Sequence, residues 1–381
     1  MTPFGFLNGI RVLDLSQFIP GPYATLLLSD LGADVVKIEP PHGDPQALDG
    51  PLDGEGVSLW YRIINRNKRV VKLDLKSEQG RGWFDALVAS CDVLLESFRP
   101  GALERLGYSR TRLGELNPML VHCALSGWGQ NGPYRLRAGH DNNYQASVGV
   151  LDVSGTMDEA MPSNPPIADF AGALSAFGLI CGALVRRCST SHGAYIDIGM
   201  ADAALALMGT DMAAVGKDFD TRRGCGPYSG GWACYNTYRC AYGGYVTLGA
   251  LEPKFWEAFC TKVSQPNWIS RQYEPRPQTT LIAEVGSLFA ARSRDDWLAV
   301  MKDVETCFHE VLALDEVAAN SQVAVRQVLR MGADGIVDAL LPAWVDEVRP
   351  PDRLPLKSAL VEAVMQEWGD RTLLTGPAAR C

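Results

Sequence analysis

The chain has 381 residues, of which 47% are hydrophobic and 21% are charged, a composition typical of folded proteins rather than disordered ones. This length favours two domains over one core. The formal net charge of −9 argues against a nucleic-acid partner, because such proteins normally present a basic face, but it stays compatible with a local basic patch for a small anion.

Short apolar runs alternate with helical spacing over the first part of the chain. This alternation predicts an α/β protein with a parallel sheet covered by helices, in the doubly wound manner. The predicted strands and helices of this part are strands at 10–15, 34–39, 70–75, 91–98 and 119–128 and helices at 20–33 and 77–90.

The rest of the chain indicates a smaller α+β piece. A small-residue-rich apolar helix at 169–187 is expected to be buried on nearly all sides, because almost every position is apolar. Further elements follow: a strand and a helix in 194–216, a Gly-rich linker at 220–232, a hairpin at 234–251, helices to about 325 and a final helix around 357–369.

Several classes of site and location are disfavoured. The N-terminus has no basic segment before a long apolar core, and no apolar run approaches the ~20 residues that cross a bilayer. The ten cysteines form no CxxC pair and no Cys/His ligand spacing. We therefore expect a cytoplasmic protein with no signal peptide, no membrane partner, no disulfide framework and no metal site.

The turn after the first strand has only part of a dinucleotide-binding pattern. Glu39 ends the second strand, as an acidic residue does in that pattern, but the turn "FIPGPYA" holds one glycine where three are needed for pyrophosphate approach. A nicotinamide dinucleotide site is therefore not predicted.

Basic residues lie near several predicted strand ends. They include the segment "NRNKR" at 65–69, Lys37, Arg99 and Arg105. Solvated loop charge explains any one of them, whereas the converging carboxyl ends of an open sheet would place them on a phosphate-bearing ligand. Because Arg99 directly follows a predicted buried strand, it favours the second interpretation.

The segment "RLRAGHDNNYQ" sets His140 beside Asp141. With only five histidines in the chain, His140 is either a loop residue or an acid–base group, since an ordinary imidazole exchanges protons near neutral pH. In the second case Asp141 would orient or charge-stabilise the ring.

Two further carboxylates lie at predicted helix starts. Asp169 is either an ordinary helix cap or a catalytic group beside free N–H groups that hold an oxyanion. The small residues Ala171, Gly172 and Ala173 would then let an acyl group approach the backbone. Glu252, which precedes Pro253, is explained equally well as a helix start.

Ordered motifs over residues 9 to about 256 resemble the class III CoA transferase family, of the CaiB/BaiF type, and within it the 2-methylacyl-CoA racemases. The matching stretches are "GIRVLDLS", "LLSDLGADVVKIEPPHGD", "NKRVVKLDLKSEQG", "ESFRPGALERLG", "LSGWGQNGPYRLRAGHDNNY", "PPIADFAGAL", "YIDIGMAD" and "GALEPKFW", with "VLALDEVAANSQV" beyond them.

The resemblance implies a large Rossmann-like domain built from both chain ends, a small central domain and an interlocked homodimer whose active site lies between subunits. We accordingly assign residues 1–205 and 330–381 to the large CoA-binding domain, 206–232 to a linker and 233–329 to the small α+β domain.

The resemblance also implies roles for the acidic residues and the histidine. Asp169 matches the aspartate that is acylated in transferases and acts as an acid–base group in racemases, where His140 matches the second such group. Asp141 and Glu252 match residues that tune this histidine. The expected activity is inversion of the α-carbon of a 2-methyl-branched acyl-CoA, the alternatives being CoA transfer through an acyl-Asp169 anhydride or non-catalytic CoA binding.

The only cofactor-like group implied is the CoA moiety of the acyl-CoA thioester substrate. The chain departs from the family at Pro40, where an arginine is common, and its ending beyond about residue 330 is not recognised as the family's. The CoA contacts carried over from the family are Phe18, Lys37, Leu73, Phe98, Arg99, Ala102, Arg105 and Arg137.

Overall fold

The computed structural model of the chain describes residues 4–217 and 219–369. The chain divides into two compact units, the first formed by Met1–Val148, Pro165–Ala206 and Asn320–Cys381 and the second by Gly149–Asn164 and Leu207–Ala319. The units differ from the predicted boundaries, because 149–164 and most of the predicted linker belong to the second unit and 320–329 belongs to the first.

The first unit contains a seven-stranded parallel sheet. Its strands are β1 (Arg11–Leu15), β2 (Asp34–Glu39), β3 (Arg69–Lys72), β4 (Val93–Glu96), β5 (Val121–Ser126), β6 (Ala194–Gly199) and β12 (Lys357–Ser358). Their order is β12-β3-β2-β1-β4-β5-β6. The run 3-2-1-4-5-6 is the doubly wound order, so the predicted fold of the large domain is confirmed.

Continuous burial explains why the central strands could be located from the sequence. Every residue of β1, β4 and β5 is buried, as expected for a parallel sheet covered on both faces. The two-residue edge strand β12 was not predicted, because it is exposed and pairs with β3 from the far end of the chain.

Helices cover both faces of this sheet. They are α1 (Pro20–Asp30), α2 (Leu59–Ile64), α3 (Glu78–Ser90), α4 (Ala102–Arg105), α5 (Arg110–Leu116), α6 (Asp141–Ser147), α8 (Ile167–Thr190), α9 (Met200–Leu207), α14 (Ser321–Arg326) and α15 (Val361–Gly369), with a hairpin of β10 (Leu329–Met331) and β11 (Val337–Ala339). In one core cluster, Trp368 of α15 packs with Phe84 of α3.

The sequence indicated that helix α8 is buried on nearly all sides, but one of its faces is exposed. Small residues on one face allow close packing, since a side-chain carbon added at Gly172 would lie 2.9 Å from Met200 and 3.3 Å from Leu125. The opposite face is apolar and exposed at Leu174 and Val185. By length and composition α8 could cross a membrane, which corrects the expected absence of such a run, although core helices pass the same test.

Buried ion pairs lie beneath the turn that follows β1. The Lys68 Nζ donates to Asp14 Oδ2 at 3.0 Å, and both side chains are fully buried. Asp14 also accepts from Ser16 N at 2.9 Å and from Thr25 Oγ1 at 2.6 Å. Since an unpaired buried charge is costly, these bonds fix the turn that carries the next residues of the chain.

The second unit is built around a three-stranded antiparallel sheet of β7 (Tyr235–Arg239), β8 (Tyr245–Gly249) and β9 (Phe308–Glu310). The predicted hairpin is confirmed by the β7–β8 pairing, and β9 is an added strand. The helices of this unit are α7 (Val150–Val153), α10 (Gly209–Val215), α11 (Pro253–Lys262), α12 (Thr279–Ala290) and α13 (Arg294–Met301).

Candidate active site

A cleft of about 210 Å³ in the first unit opens beside the carboxyl ends of β1, β4 and β5. The strand order reverses between β1 and β4, and ligands of open α/β sheets bind at this switch point. His140 and Asp169, which are 29 positions apart in the sequence, both line the cleft.

His140 lies directly before α6, and its backbone N–H donates to Asn143 Oδ1 at 3.0 Å. The rings of Phe18 and His140 lie edge-to-face, with centroids 6.3 Å apart and planes at 87°. Phe18 has a φ of 61°, an uncommon left-handed conformation for a non-glycine residue, in the turn above the buried ion pairs. Backbone and aromatic contacts thus position the exposed imidazole at the cleft.

Sequence reasoning missed Tyr144, whose buried ring shapes the loop before α6. Its hydroxyl donates to the Gly139 carbonyl, and its ring packs edge-to-face on Trp128 with centroids 5.0 Å apart. A side-chain carbon at Gly127 would lie 2.5 Å from this ring, and one at Gly139 would lie 2.8 Å away. Both glycines therefore allow the Tyr144 ring to approach the backbone. The sequence shows the two glycines but not the ring that packs against them.

Asp169 lies in the first turn of α8 and is half-buried. Burial, and secondarily the negative charge of Asp141, raises the pKa of the Asp169 carboxyl to about 7. A carboxyl group with such a pKa exchanges protons at neutral pH, unlike an ordinary aspartate. Its environment therefore suits acid–base chemistry.

Asp141 has a different role from the predicted one. Its Oδ1 accepts the backbone N–H of Ala168 at 2.8 Å and that of Asp169 at 3.1 Å, while Oδ2 accepts from Gln145. The Asp141 carboxylate therefore caps α8, whose own N-cap residue Pro166 offers no side-chain acceptor. In the described part of the chain, no hydrogen bond joins Asp141 to the His140 ring.

This cap also corrects the predicted oxyanion site at the start of α8. The N–H groups of Ala168 and Asp169 are taken by Asp141, and that of Phe170 donates to the Pro166 carbonyl at 3.2 Å. The small residues of the first two turns are also unavailable to an acyl group, because they are buried in the packing of the helix: Ala171, Gly172 and Ala173.

Three arginines give the cleft a positive charge. Arg99, Arg135 and Arg137 all line it and are exposed. The Arg137 guanidinium lies 5.0 Å from the Tyr134 ring centroid, and the Arg137 carbonyl accepts from Trp128 Nε1 at 3.0 Å. Arg135 was not predicted as a site residue, although it lies two positions before Arg137. Three guanidinium groups in one cleft suit a phosphate-bearing ligand.

Apart from Lys37, the remaining predicted CoA contacts divide into two groups. Leu73 and Phe98 line a second cleft of about 150 Å³, which shares Gln17 and Phe98 with the first. Ala102 and Arg105 lie on α4.

Lys37 is a correction, since it is fully buried. Its Nζ donates to the Ser16 carbonyl at 2.6 Å and pairs with Asp44 at 2.9 Å, so it is part of the core and not a phosphate contact.

Glu252 belongs to the second unit, where it is exposed and directly precedes α11. Its backbone carbonyl accepts the N–H groups of Phe255 and Trp256, which accounts for its part in the helix start. No group of three or more His, Cys, Asp or Glu side chains in residues 4–217 and 219–369 could hold a metal ion.

The fold and the cleft define an α/β protein with an imidazole and a carboxyl group of raised pKa at a cationic switch-point site. The model of CoA-transferase family III matches residues 7–349, so the chain belongs to this family, as the motifs predict. It is an enzyme family in which relatives carry the names of CoA-transferases and of a racemase.

Two relatives and one solved structure illustrate the match. Alpha-methylacyl-CoA racemase of Homo sapiens is 33% identical over 324 residues, which cover 82% of this chain and 79% of the relative. Succinyl-CoA–D-citramalate CoA-transferase of Chloroflexus aurantiacus is 33% identical over 312 residues, 78% of this chain and 76% of the relative. A CaiB/BaiF family protein from Brucella suis has a TM-score of 0.81 at 27% identity, covering 95% of this chain and 99% of that one.

Proposed function

We propose that the chain is an acyl-CoA racemase or epimerase, which inverts the α-carbon of a 2-methyl-branched acyl-CoA by 1,1-proton transfer through an enolate. The observation that carries the proposal is that His140 and Asp169 line one cleft and that the pKa of Asp169 is raised to about 7. The similarity to a protein named alpha-methylacyl-CoA racemase supports it.

In the proposed reaction, the two groups act on opposite faces of the α-carbon. A neutral His140 imidazole removes the α-proton, the C–H electron pair moves into the enolate, and a protonated Asp169 returns a proton to the other face. The reverse reaction starts with protonated His140 and ionised Asp169. A carboxyl with a pKa of about 7 is present in both forms at neutral pH, so both directions are served.

The enolate oxygen needs a donor other than the capped N–H groups of α8. Ser126 lines the cleft at the end of β5, and its buried hydroxyl has no hydrogen-bond partner in the described part of the chain. We therefore include the Ser126 hydroxyl in the proposal as the donor. Ser126→Ala should lower kcat by about 100-fold with little change in KM. The matched control is Ser29→Ala, since Ser29 does not line this cleft and its hydroxyl already donates to the Leu26 carbonyl at 2.7 Å.

CoA transfer is the second candidate, because several relatives are named as CoA-transferases. In that reaction the Asp169 carboxylate attacks the thioester carbonyl, the C–S bond breaks, and CoA thiolate leaves an acyl-Asp169 anhydride. Ionised Asp169 is the reactive form, and a carboxyl with a pKa of about 7 is only partly ionised at neutral pH.

Isotope exchange separates the two candidates. A 2-methylacyl-CoA is incubated in D₂O, and α-deuterium incorporation and inversion are followed by mass spectrometry and chiral analysis. The proposal predicts exchange with inversion, and it predicts that His140→Gln and Asp169→Asn abolish the inversion while CoA binding survives. Absence of exchange, together with CoA transfer to an added acid and a hydroxylamine-trapped Asp169 adduct, would establish the transferase instead.

The proposal includes a homodimer, in which the second subunit supplies Glu252 to tune His140. It is supported by the exposed apolar residues of α8, Leu174, Leu179 and Val185, since apolar patches of this kind mark interfaces. Sedimentation should give twice the chain mass, and Glu252→Gln should shift the pH profile of exchange.

The cytoplasmic location and the absence of nucleic-acid and membrane partners stay predictions.

A further inference from the structure

A buried histidine outside the catalytic cleft has neither ring nitrogen hydrogen-bonded. His122 lies on β5 with only 8% of its surface exposed, and both Nδ1 and Nε2 are buried without a partner in the described part of the chain. A buried polar group without a partner is costly, so such groups normally face water, an ion or a ligand. The His122 ring plays no part in the proposed proton transfer.

The His122 ring forms part of the wall of a cavity of about 160 Å³ between α5 and the edge of the sheet. Tyr195, its neighbour in the β5–β6 register, presents its ring at a centroid distance of 5.1 Å. The Arg110 guanidinium lies 4.6 Å from the centroid of the Tyr195 ring. Three polar side chains thus lie together at one cavity.

Other polar groups of this cavity are already used. The Asn117 amide donates to the carbonyls of Val88 and Cys91, its oxygen accepts from Met119 N, and the Gly193 N–H donates to the Pro118 carbonyl. By contrast, the Arg110 guanidinium makes no hydrogen bond or ion pair with any described residue.

We propose that the cavity formed by Arg110, His122 and Tyr195 binds a small oxyanion, a carboxylate or a phosphate group. A guanidinium and an imidazole N–H are donors, and Arg110 adds a positive charge, so an oxyanion satisfies both, with the Tyr195 ring as the adjoining wall. The volume of the cavity equals that of about five water molecules, which suits a small anion rather than a nucleotide.

The charges around the cavity fix where the anion lies. Burial, and then the charge of Arg110, lowers the pKa of His122 to about 4, so the imidazole is neutral at pH 7. Burial raises the pKa of Tyr195 to about 12, with contributions from Asp197, Glu96 and Glu104. These carboxylates repel an anion at the Tyr195 side, so we place it against Arg110 and His122.

The five histidines of the chain make the test direct. Protein carrying ¹³C-labelled histidine gives five imidazole signals, and His122→Gln identifies the one from this cavity. Inorganic phosphate and acetate are titrated separately at pH 7. We expect the His122 signal to shift saturably, with half-saturation at or below about 5 mM, and the pKa of His122 to rise because the anion offsets Arg110.

Two arginines on the same helix provide a matched pair of variants. Arg110→Gln should weaken binding about tenfold or more. Arg112→Gln should not, because the Arg112 guanidinium is already bound to Asp85 at 2.7 Å. The other four histidine signals show that each variant is folded, and the His140 signal reports anions that enter the catalytic cleft.

The outcomes are decisive in both directions. A response to one anion alone supports the proposal and identifies its ligand as carboxylate or phosphate. An unsaturated His122 signal with both anions up to about 50 mM, an equal response in Arg110→Gln, or a shift of His140 alone would overturn it.

Discussion

Removing the Asp141 carboxylate should both loosen α8 and change the acidity of Asp169. In Asp141→Ala, the N–H groups of Ala168 and Asp169 lose their acceptor. Loss of a helix cap costs about 0.5–2 kcal/mol, and each kcal/mol corresponds to about 2–4 °C in Tm for a domain of this size. We therefore expect Tm to fall by about 1–8 °C. Asp141→Asn keeps one amide oxygen as an acceptor, so its Tm should fall by less than half as much.

The charge of Asp141 gives a second readout. Because burial is the larger cause of the raised Asp169 pKa and Asp141 the smaller, Asp141→Asn should lower that pKa while leaving it above its ordinary value of 3.8. The limb of the exchange rate–pH profile that reports Asp169 should accordingly move to lower pH.

The assays are calorimetry for Tm and α-deuterium exchange from pH 5 to pH 9. Asp49→Asn, at an exposed position of the same unit, is the matched control and should change neither quantity. The reasoning is refuted if Asp141→Ala unfolds at the wild-type temperature, or if Asp141→Asn leaves the profile unmoved.

Three further predictions test the environment of the cleft. Because the pKa of the Asp169 carboxyl is raised in the folded state, its contribution to stability is fully present below about pH 4 and is lost as the pH rises through about 7. Asp169→Asn should therefore raise Tm at pH 8 in calorimetry, and this gain should shrink towards pH 4. Gly127→Ala should lower Tm and exchange because its Cβ would lie 2.5 Å from an aromatic ring, whereas Gly82→Ala, with open space around it in α3, should not. Lys37→Met should destabilise the protein by about 3–5 kcal/mol without raising KM for acyl-CoA, because it breaks a buried ion pair. Arg99→Gln, in the cleft, should instead raise KM without changing Tm. A raised KM in Lys37→Met would show that Lys37 contacts the ligand after all.

Sequence patterns were sufficient for six of the seven strands of the large sheet. The strands β1, β2 and β5 are short apolar runs bounded by turns, and their burial on both faces is what such runs predict. The motif positions of His140 and Asp169 also identified two residues that line one cleft, since residues near strand ends meet at one edge of an open sheet.

The partners of these residues depend on contacts between distant parts of the chain. Asp141 bonds to N–H groups 27 and 28 positions away, and β12 pairs with a strand nearly 300 residues earlier. No local spacing encodes such contacts, which is why Asp141 was assigned to the adjacent histidine and Lys37 to a phosphate.

The nature of six of the sheet's strands, and the identity of the family, thus follow from local apolar patterns and motifs that any copy of the chain carries in its sequence. The protonation of Asp169, the capping of α8 and the burial of Lys37 follow from which groups exclude water from one another. Desolvation and long-range hydrogen bonding arise only when the chain has folded, and they set the chemistry of the cleft.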